Sequence, residues 1–189
     1  MEDNIWWTRK ARINAESRLL SNHHCLDLLL LWYSLIAVFV SIWLLAYVDN
    51  SKQVSVVFTC FSVFILAVTL FGSNARFAHR AAQFKDNYIS LQELYFSIKG
   101  SSKEDENKHR LEYKRLLELA ENHEPIDDTK ALVWEWHNAQ DKNNLTREPK
   151  KQHYILLCFY YLKRYLLLAV LFSLPLLLIY VSFFGCLPS

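Results

Sequence analysis

A chain of 189 residues is about one domain long. Of these residues 52% are hydrophobic, and 21 basic residues nearly balance 19 acidic ones, so a net charge of +2 gives no pointer to nucleic acid. With only Gly72, Gly100 and Gly185, neither a Walker loop nor a dinucleotide fingerprint can be built, and no Gly-x-Ser-x-Gly elbow, HExxH or paired-cysteine site is present. Composition and motifs together argue against an enzyme, and no catalytic residue, cofactor or metal site is expected.

The hydrophobic residues are concentrated in three uncharged runs: Leu28–Val48, Val54–Ala75 and Tyr165–Ser189. At a rise of about 1.5 Å per residue, each reaches roughly 30 Å or more, enough to cross a bilayer's hydrocarbon core. The expected fold is all-α: a membrane helical hairpin, a cytosolic helical bundle and a C-terminal third transmembrane helix. The expected segments are a helical arm over residues 1–25 and a hairpin over 26–75, with spans at about 28–48 and 54–75. A cytosolic region over 76–153 and a last helix over 154–189, with its span at about 165–187, complete the chain.

In chain order, Ile5–Asn22 forms an arm with Ala11, Ala15, Leu19 and the Trp6-Trp7 pair on or near one face. It is expected to lie on the inner membrane surface or to pack on the cytosolic helices. His23-His24-Cys25 reads as a polar turn at the membrane surface rather than a metal site, because adjacent helical residues point apart. The first run is too long and too aromatic (Trp32, Tyr33, Trp43) for a signal-peptide core, and is read as an anchor. Asp27, Ser34 and Ser41 recur every seven residues along it. Asp27 is either a solvated boundary acid or a charge at a pore mouth.

The second run carries Ser55, Thr59, Ser62, Thr69 and Ser73, with Leu66 in the same series, at spacings of four and three. Such a stripe of hydroxyls can mediate close helix packing or line a wet path formed by several copies. No stop signal closes this run, so one helix is expected from Val54 to about Ile98, roughly 65 Å long. Its second half carries a heptad seam, Phe77, Ala81, Phe84, Tyr88, Leu91, Tyr95 and Ile98, read as an assembly seam. Gly100 is a C-cap candidate and Ser101-Ser102-Lys103-Glu104 a capping box. A helix follows with Leu111, Leu116 and Leu117 and stops before Pro125. Asp127 or Asp128 can cap the next helix, which carries Leu132, Val133 and Trp136. After Pro149 a final helix enters the membrane, with a kink expected at Pro175.

Basic residues set the expected orientation. Arg9, Lys10, Arg12 and Arg18 precede the first run, Lys52 alone lies between the first two, sixteen lie in 76–164, and none follows Arg164. The N-terminus is therefore expected inside the cell and the C-terminus outside.

Short signatures resemble those of the SLATT proteins, two-transmembrane effectors of bacterial conflict and anti-phage systems. Arg12-Ile13-Asn14-Ala15-Glu16-Ser17-Arg18-Leu19 resembles the helix before that family's first span. The stretch Arg80–Tyr95 resembles the segment after the second. Tyr113-Lys114-Arg115-Leu116-Leu117 and Glu121-Asn122-His123-Glu124-Pro125-Ile126-Asp127-Asp128 are similar to later family segments. The third span departs from the minimal two-helix pattern and resembles a subgroup found beside reverse transcriptases. The resemblance implies a homo-oligomeric, pore-forming effector in the bacterial inner membrane. A separate defence protein, a reverse transcriptase or a nucleotide-signal module, would trigger it, with no direct nucleic-acid contact. A non-conducting membrane scaffold is the alternative. A transporter subunit is disfavoured, since no pair of broken helices is present.

Overall fold

The computed structural model describes residues 1–47, 52–99 and 105–184; the side chains of 44–47, 52–55, 57 and 181–184 are outside that description. The expected cap at Gly100, the capping box at 101–104 and most of the 49–53 loop also lie outside it. Among the described residues there is no strand. The helices are α1 (Glu2–Tyr47), α2 (Lys52–Ala75), α3 (Phe77–Lys99), α4 (Glu106–Glu118), α5 (Pro125–Asn138) and α6 (Lys151–Phe184), with a short 3-10 turn at Lys142–Asn144.

Three boundaries differ from the sequence reading. The arm and the first span are one helix, α1, and His23-His24-Cys25 lie inside it rather than in a turn. Neither Gly nor Pro occurs between Glu2 and Tyr47, so nothing in the chain opposes continuation. Conversely, the expected helix from Val54 to Ile98 is broken at Arg76, which has φ 46° and separates α2 from α3. The left-handed region is costly for a residue with a Cβ, so local preference does not account for this break. Finally, α5 is capped by Glu124, not by Asp127 or Asp128. Pro125 takes the first helical position, where its missing N–H costs nothing. Asp127 stands at the third position, and its Oδ2 accepts the Glu124 N–H at 3.0 Å.

The chain divides into two compact units. Met1–Ser21 and Phe77–Leu162 form a polar unit; Asn22–Arg76 and Lys163–Ser189 form an apolar one. In the polar unit, Ile5 of α1 packs with Leu91 and Leu94 of α3 and Leu116 of α4. About three to four turns further along α1, Ala15 and Leu19 pack with Ala81 and Phe84 of α3. Ala11 and Ala15 are fully buried, and such small side chains allow neighbouring helices to approach closely. Full burial of each Leu, Ile or Phe here is worth about 1.5–3 kcal/mol.

In the apolar unit, Leu29 and Tyr33 of α1 and Phe61 of α2 form the core, flanked by Phe64, Ile65, Val68, Leu171 and Phe172. The Tyr33 ring stacks on Phe61 with centroids 5.3 Å apart. At Gly72 an added Cβ would strike the Leu26 side chain, so glycine is what lets α1 approach α2 at this point. The outer surface of this unit is apolar: Leu35, Phe39, Leu66, Phe71, Leu166 and Leu177 are all more than half exposed. A contiguous surface of this kind needs a hydrocarbon solvent. Three helical stretches are long and apolar enough to cross a membrane: Glu2–Trp43 in α1, Phe58–Lys99, which runs from α2 past Arg76 into α3, and Lys151–Tyr180 in α6.

Candidate functional site

Positions 59, 62, 69 and 73 of α2 are all exposed, whereas Phe61, Phe64, Ile65 and Val68 turn toward the unit's core. The hydroxyl stripe therefore lies on the side of α2 that its own chain leaves uncovered. The side chain of Ser55 is outside the described residues. Two of the hydroxyls bond back along the helix: Ser62 Oγ donates to the Phe58 carbonyl at 3.0 Å and Thr69 Oγ1 to the Ile65 carbonyl at 2.8 Å. Such back-bonding removes most of the cost of placing a hydroxyl against lipid, while leaving its oxygen able to accept from water or from another helix.

On α1, Asp27 is exposed and lies 3.6 Å from His23 Nδ1, one helical turn away. Ser34 donates to the Leu30 carbonyl and Ser41 to that of Ala37. Asp27 and Ser34 are exposed and Ser41 is half-buried.

The heptad seam is placed differently. Ala81, Phe84 and Leu91 are buried, and Phe77, Tyr95 and Ile98 pack against the same two clusters as they do. Burial and the neighbouring Glu16 carboxylate of α1 raise the Tyr88 hydroxyl above the usual phenol value. The seam thus faces α1 and α4 of its own chain, with Ala81, Phe84 and Leu91 buried and Phe77, Tyr88, Tyr95 and Ile98 partly so. A period-seven apolar stripe reports only that a helix is needed opposite it, and here the partner is intramolecular.

What the sequence reading missed is a set of charged anchors in the polar unit. Arg18 makes a two-pronged pair with Asp127, Nε to Oδ1 at 2.9 Å and Nη2 to Oδ2 at 3.0 Å, and its Nη1 reaches Glu124 at 2.7 Å. Asp127 has no exposed surface. Six residues before Arg18, Arg12 is 1% exposed, and it donates to the carbonyls of Leu116 and Leu117, where Asn87 also donates. These carbonyls close the last turn of α4, so the guanidinium meets the negative end of that helix. Arg12 Nε is buried without a hydrogen-bond partner, so the two Nη bonds carry the desolvated charge.

A cleft of about 450 Å³ opens beside Asp3, Trp7, Tyr113, His123, Asp128 and Arg147. Arg147 grips Asp128 with two bonds, at 2.8 and 2.6 Å, and lies over the Trp7 ring. The hydrogen bond from Arg147 holds the Asp128 carboxyl below its ordinary range. Burial pushes His123 below the usual imidazole value. Asp128 and Asp127 oppose that shift, and Arg12 and Arg147 add to it. The only sequence signal for these anchors was that residues 12–19 and 121–128 both stood among the family-like segments; the structure brings the two into contact through Arg18, Asp127 and Glu124.

Three apolar spans carried by one chain with a charge-anchored helical unit define a multi-pass membrane protein. The chain belongs to the SLATT family described as SMODS and SLOG-associating 2TM effector domain family 5, whose family model matches residues 1–181. That match takes in nearly all of α6, so the third span lies within the family's pattern rather than appended to it. The family description speaks of SMODS and SLOG, not of reverse transcriptases. No curated protein and no solved structure matches the chain.

Proposed function

We propose that this protein is a membrane effector of a bacterial anti-phage defence system, and that several copies assemble into a gated pore when a partner signals. The observation that carries the reading is the hydroxyl stripe of Thr59, Ser62, Thr69 and Ser73, which spans much of α2 on a face the chain itself does not cover. Because Phe84 and Leu91 are already buried, assembly uses this α2 face rather than the 77–98 seam. The hydroxyls rest on their own helix while the protein is idle and turn to water when copies bring the stripes together. Asp27 then stands near one mouth of the path. The family name's association with SMODS and SLOG supports a nucleotide-signal module as the partner. It would act on the charge-anchored unit, which the distribution of Lys and Arg puts on the cytosolic side of the inner membrane, with the N-terminus inside and the C-terminus outside.

The test is a potential-sensitive dye in cells expressing the protein under triggering conditions. Depolarisation is expected, and the combined variant Ser55→Leu, Ser62→Leu, Thr69→Leu is expected to abolish it. Undiminished leakage in that variant would remove the lining assignment. A non-conducting scaffold is favoured by one observation, the back-bonded Ser62 and Thr69, which need no water. An intact potential with the partner still recruited to the membrane would decide for the scaffold.

A further inference from the structure

The third span has a proline where a helix in lipid can least tolerate one. Pro175 has no N–H, so the carbonyl four residues earlier, that of Leu171, has lost its helical donor. In water a solvent molecule would replace that donor. The hydrocarbon core offers none, and an orphaned carbonyl there costs several kcal/mol. Yet α6 continues as helix through Pro175 to Phe184, and Pro175 is fully buried.

The missing donor is supplied from α1. The Tyr33 hydroxyl donates to the Leu171 carbonyl at 2.8 Å, and the indole Nε1 of the adjacent Trp32 donates to the Phe172 carbonyl at 3.1 Å. Tyr33 is 2% exposed, with its ring held between Phe61 and Phe64, so its hydroxyl is aimed at Leu171 by packing. Leu171 and Phe172 also pack against the same core. A hydroxyl and an indole N–H are neutral donors, so each can be buried in lipid without bringing in a charge.

We propose that the Leu171–Pro175 turn is a latch: Pro175 frees a backbone acceptor, Tyr33 and Trp32 occupy the turn's carbonyls, and the third span stays closed against the first until another donor replaces them. Water is the donor of the right kind. In dry lipid the latch stays shut, and wetting of the apolar unit releases it. The latch does not depend on whether the hydroxyl stripe conducts.

The test is a cycle of Tyr33→Phe and Pro175→Ala in the full-length protein in micelles, read as the unfolding equilibrium in SDS. Tyr33→Phe keeps the ring and removes only the donor. With Pro175 present, it is expected to raise the unfolded-to-folded ratio about three- to fifteen-fold, the range of interhelical hydrogen bonds in membranes. With Pro175→Ala, residue 175 donates to Leu171 again, and the same substitution is expected to have less than half that effect on a logarithmic scale. A spin label on the exposed Leu177 position, in a chain with its four cysteines replaced, gives a second readout. Label mobility is expected to rise with Tyr33→Phe only where Pro175 remains. An equal response of both readouts in the two backgrounds, or no response to Tyr33→Phe beside Pro175, would overturn the latch.

Discussion

One helix, α1, contributes to both units and is fastened within each by different means. In the polar unit it is fastened by guanidinium groups: Arg12 on the end of α4, and Arg18 on Asp127 and Glu124. In the apolar unit it is fastened by neutral donors, Trp32 and Tyr33, on backbone carbonyls of α6. The chemistry follows the solvent each stretch meets before packing. Where the unfolded reference is water, a two-pronged ion pair is strong once formed and specific in geometry. Where the reference is hydrocarbon, a charge is too costly to bring in, and a hydroxyl or indole already needs a partner.

The largest expected effect tests the polar half of that comparison. Arg18→Ala leaves Asp127 charged, buried and without its main partner, which is expected to cost about 3–5 kcal/mol. Thermal unfolding followed by circular dichroism measures it. If burial of the pair is a matter of geometry more than of net stability, then Arg18→Met with Asp127→Leu recovers most of the loss. The recovery is expected to fall short by roughly 1 kcal/mol, because Asp127 also accepts the Glu124 N–H at the start of α5. A loss below 1 kcal/mol for Arg18→Ala would mean that the apolar clusters alone position α1.

The apolar half is tested at its closest approach. Gly72→Val inserts a branched side chain where Leu26 now lies, and is expected to cost about 1–3 kcal/mol in SDS unfolding. Leu26→Ala in the same chain is expected to restore part of it, since the obstacle is the end of one flexible side chain. Failure of Leu26→Ala to restore anything would place the clash elsewhere on α1.

The junction comes next. Arg76 occupies the left-handed region at φ 46°. Arg76→Gly is expected to be neutral or slightly stabilising, because the relief of strain is offset by greater chain entropy when unfolded. Arg76→Val is expected to cost about 1–2 kcal/mol. Equal stability of the two variants would show that residue 76 leaves the left-handed region at no cost.

The sequence made most of the architecture legible, because length without charge is a strong signal for a span: α2 contains Val54–Ala75, and α6 contains residues 165–184 of the third run. The spacing of Thr59, Ser62, Thr69 and Ser73 was legible too, since helical periodicity survives in any environment, and these four positions are all exposed. The sequence did not reveal the break at Arg76. Arginine is a good helix former, and nothing in the local sequence calls for a positive φ at that position. Nor did it say what fills the 77–98 seam, since a heptad pattern has no address for its partner. The anchors were unreadable for a related reason. Arg18 and Asp127 look like surface charges until the fold brings residues 109 positions apart to within hydrogen-bonding distance.

The smallest effect concerns pH and returns to the polar unit. Folding pushes His123 below its usual imidazole value, mainly by burial, with Arg12 and Arg147 adding to the shift and Asp128 and Asp127 opposing it. The unfolded chain therefore holds more protons than the folded one as pH falls below about 6.5. Stability from this group is complete above that value and is lost as pH falls toward the lower folded value. Asp128, held low by Arg147, adds a loss of the same sign, but only at pH values below the ordinary carboxylate range. The two are separable by window. His123→Gln is expected to flatten the decline in melting temperature that begins near pH 6.5, while leaving the steeper acid limb in place. An unchanged decline in His123→Gln would assign the upper window to another of the polar unit's histidines. The polar unit would then owe its acid sensitivity to a group outside the Arg147–Asp128 cleft.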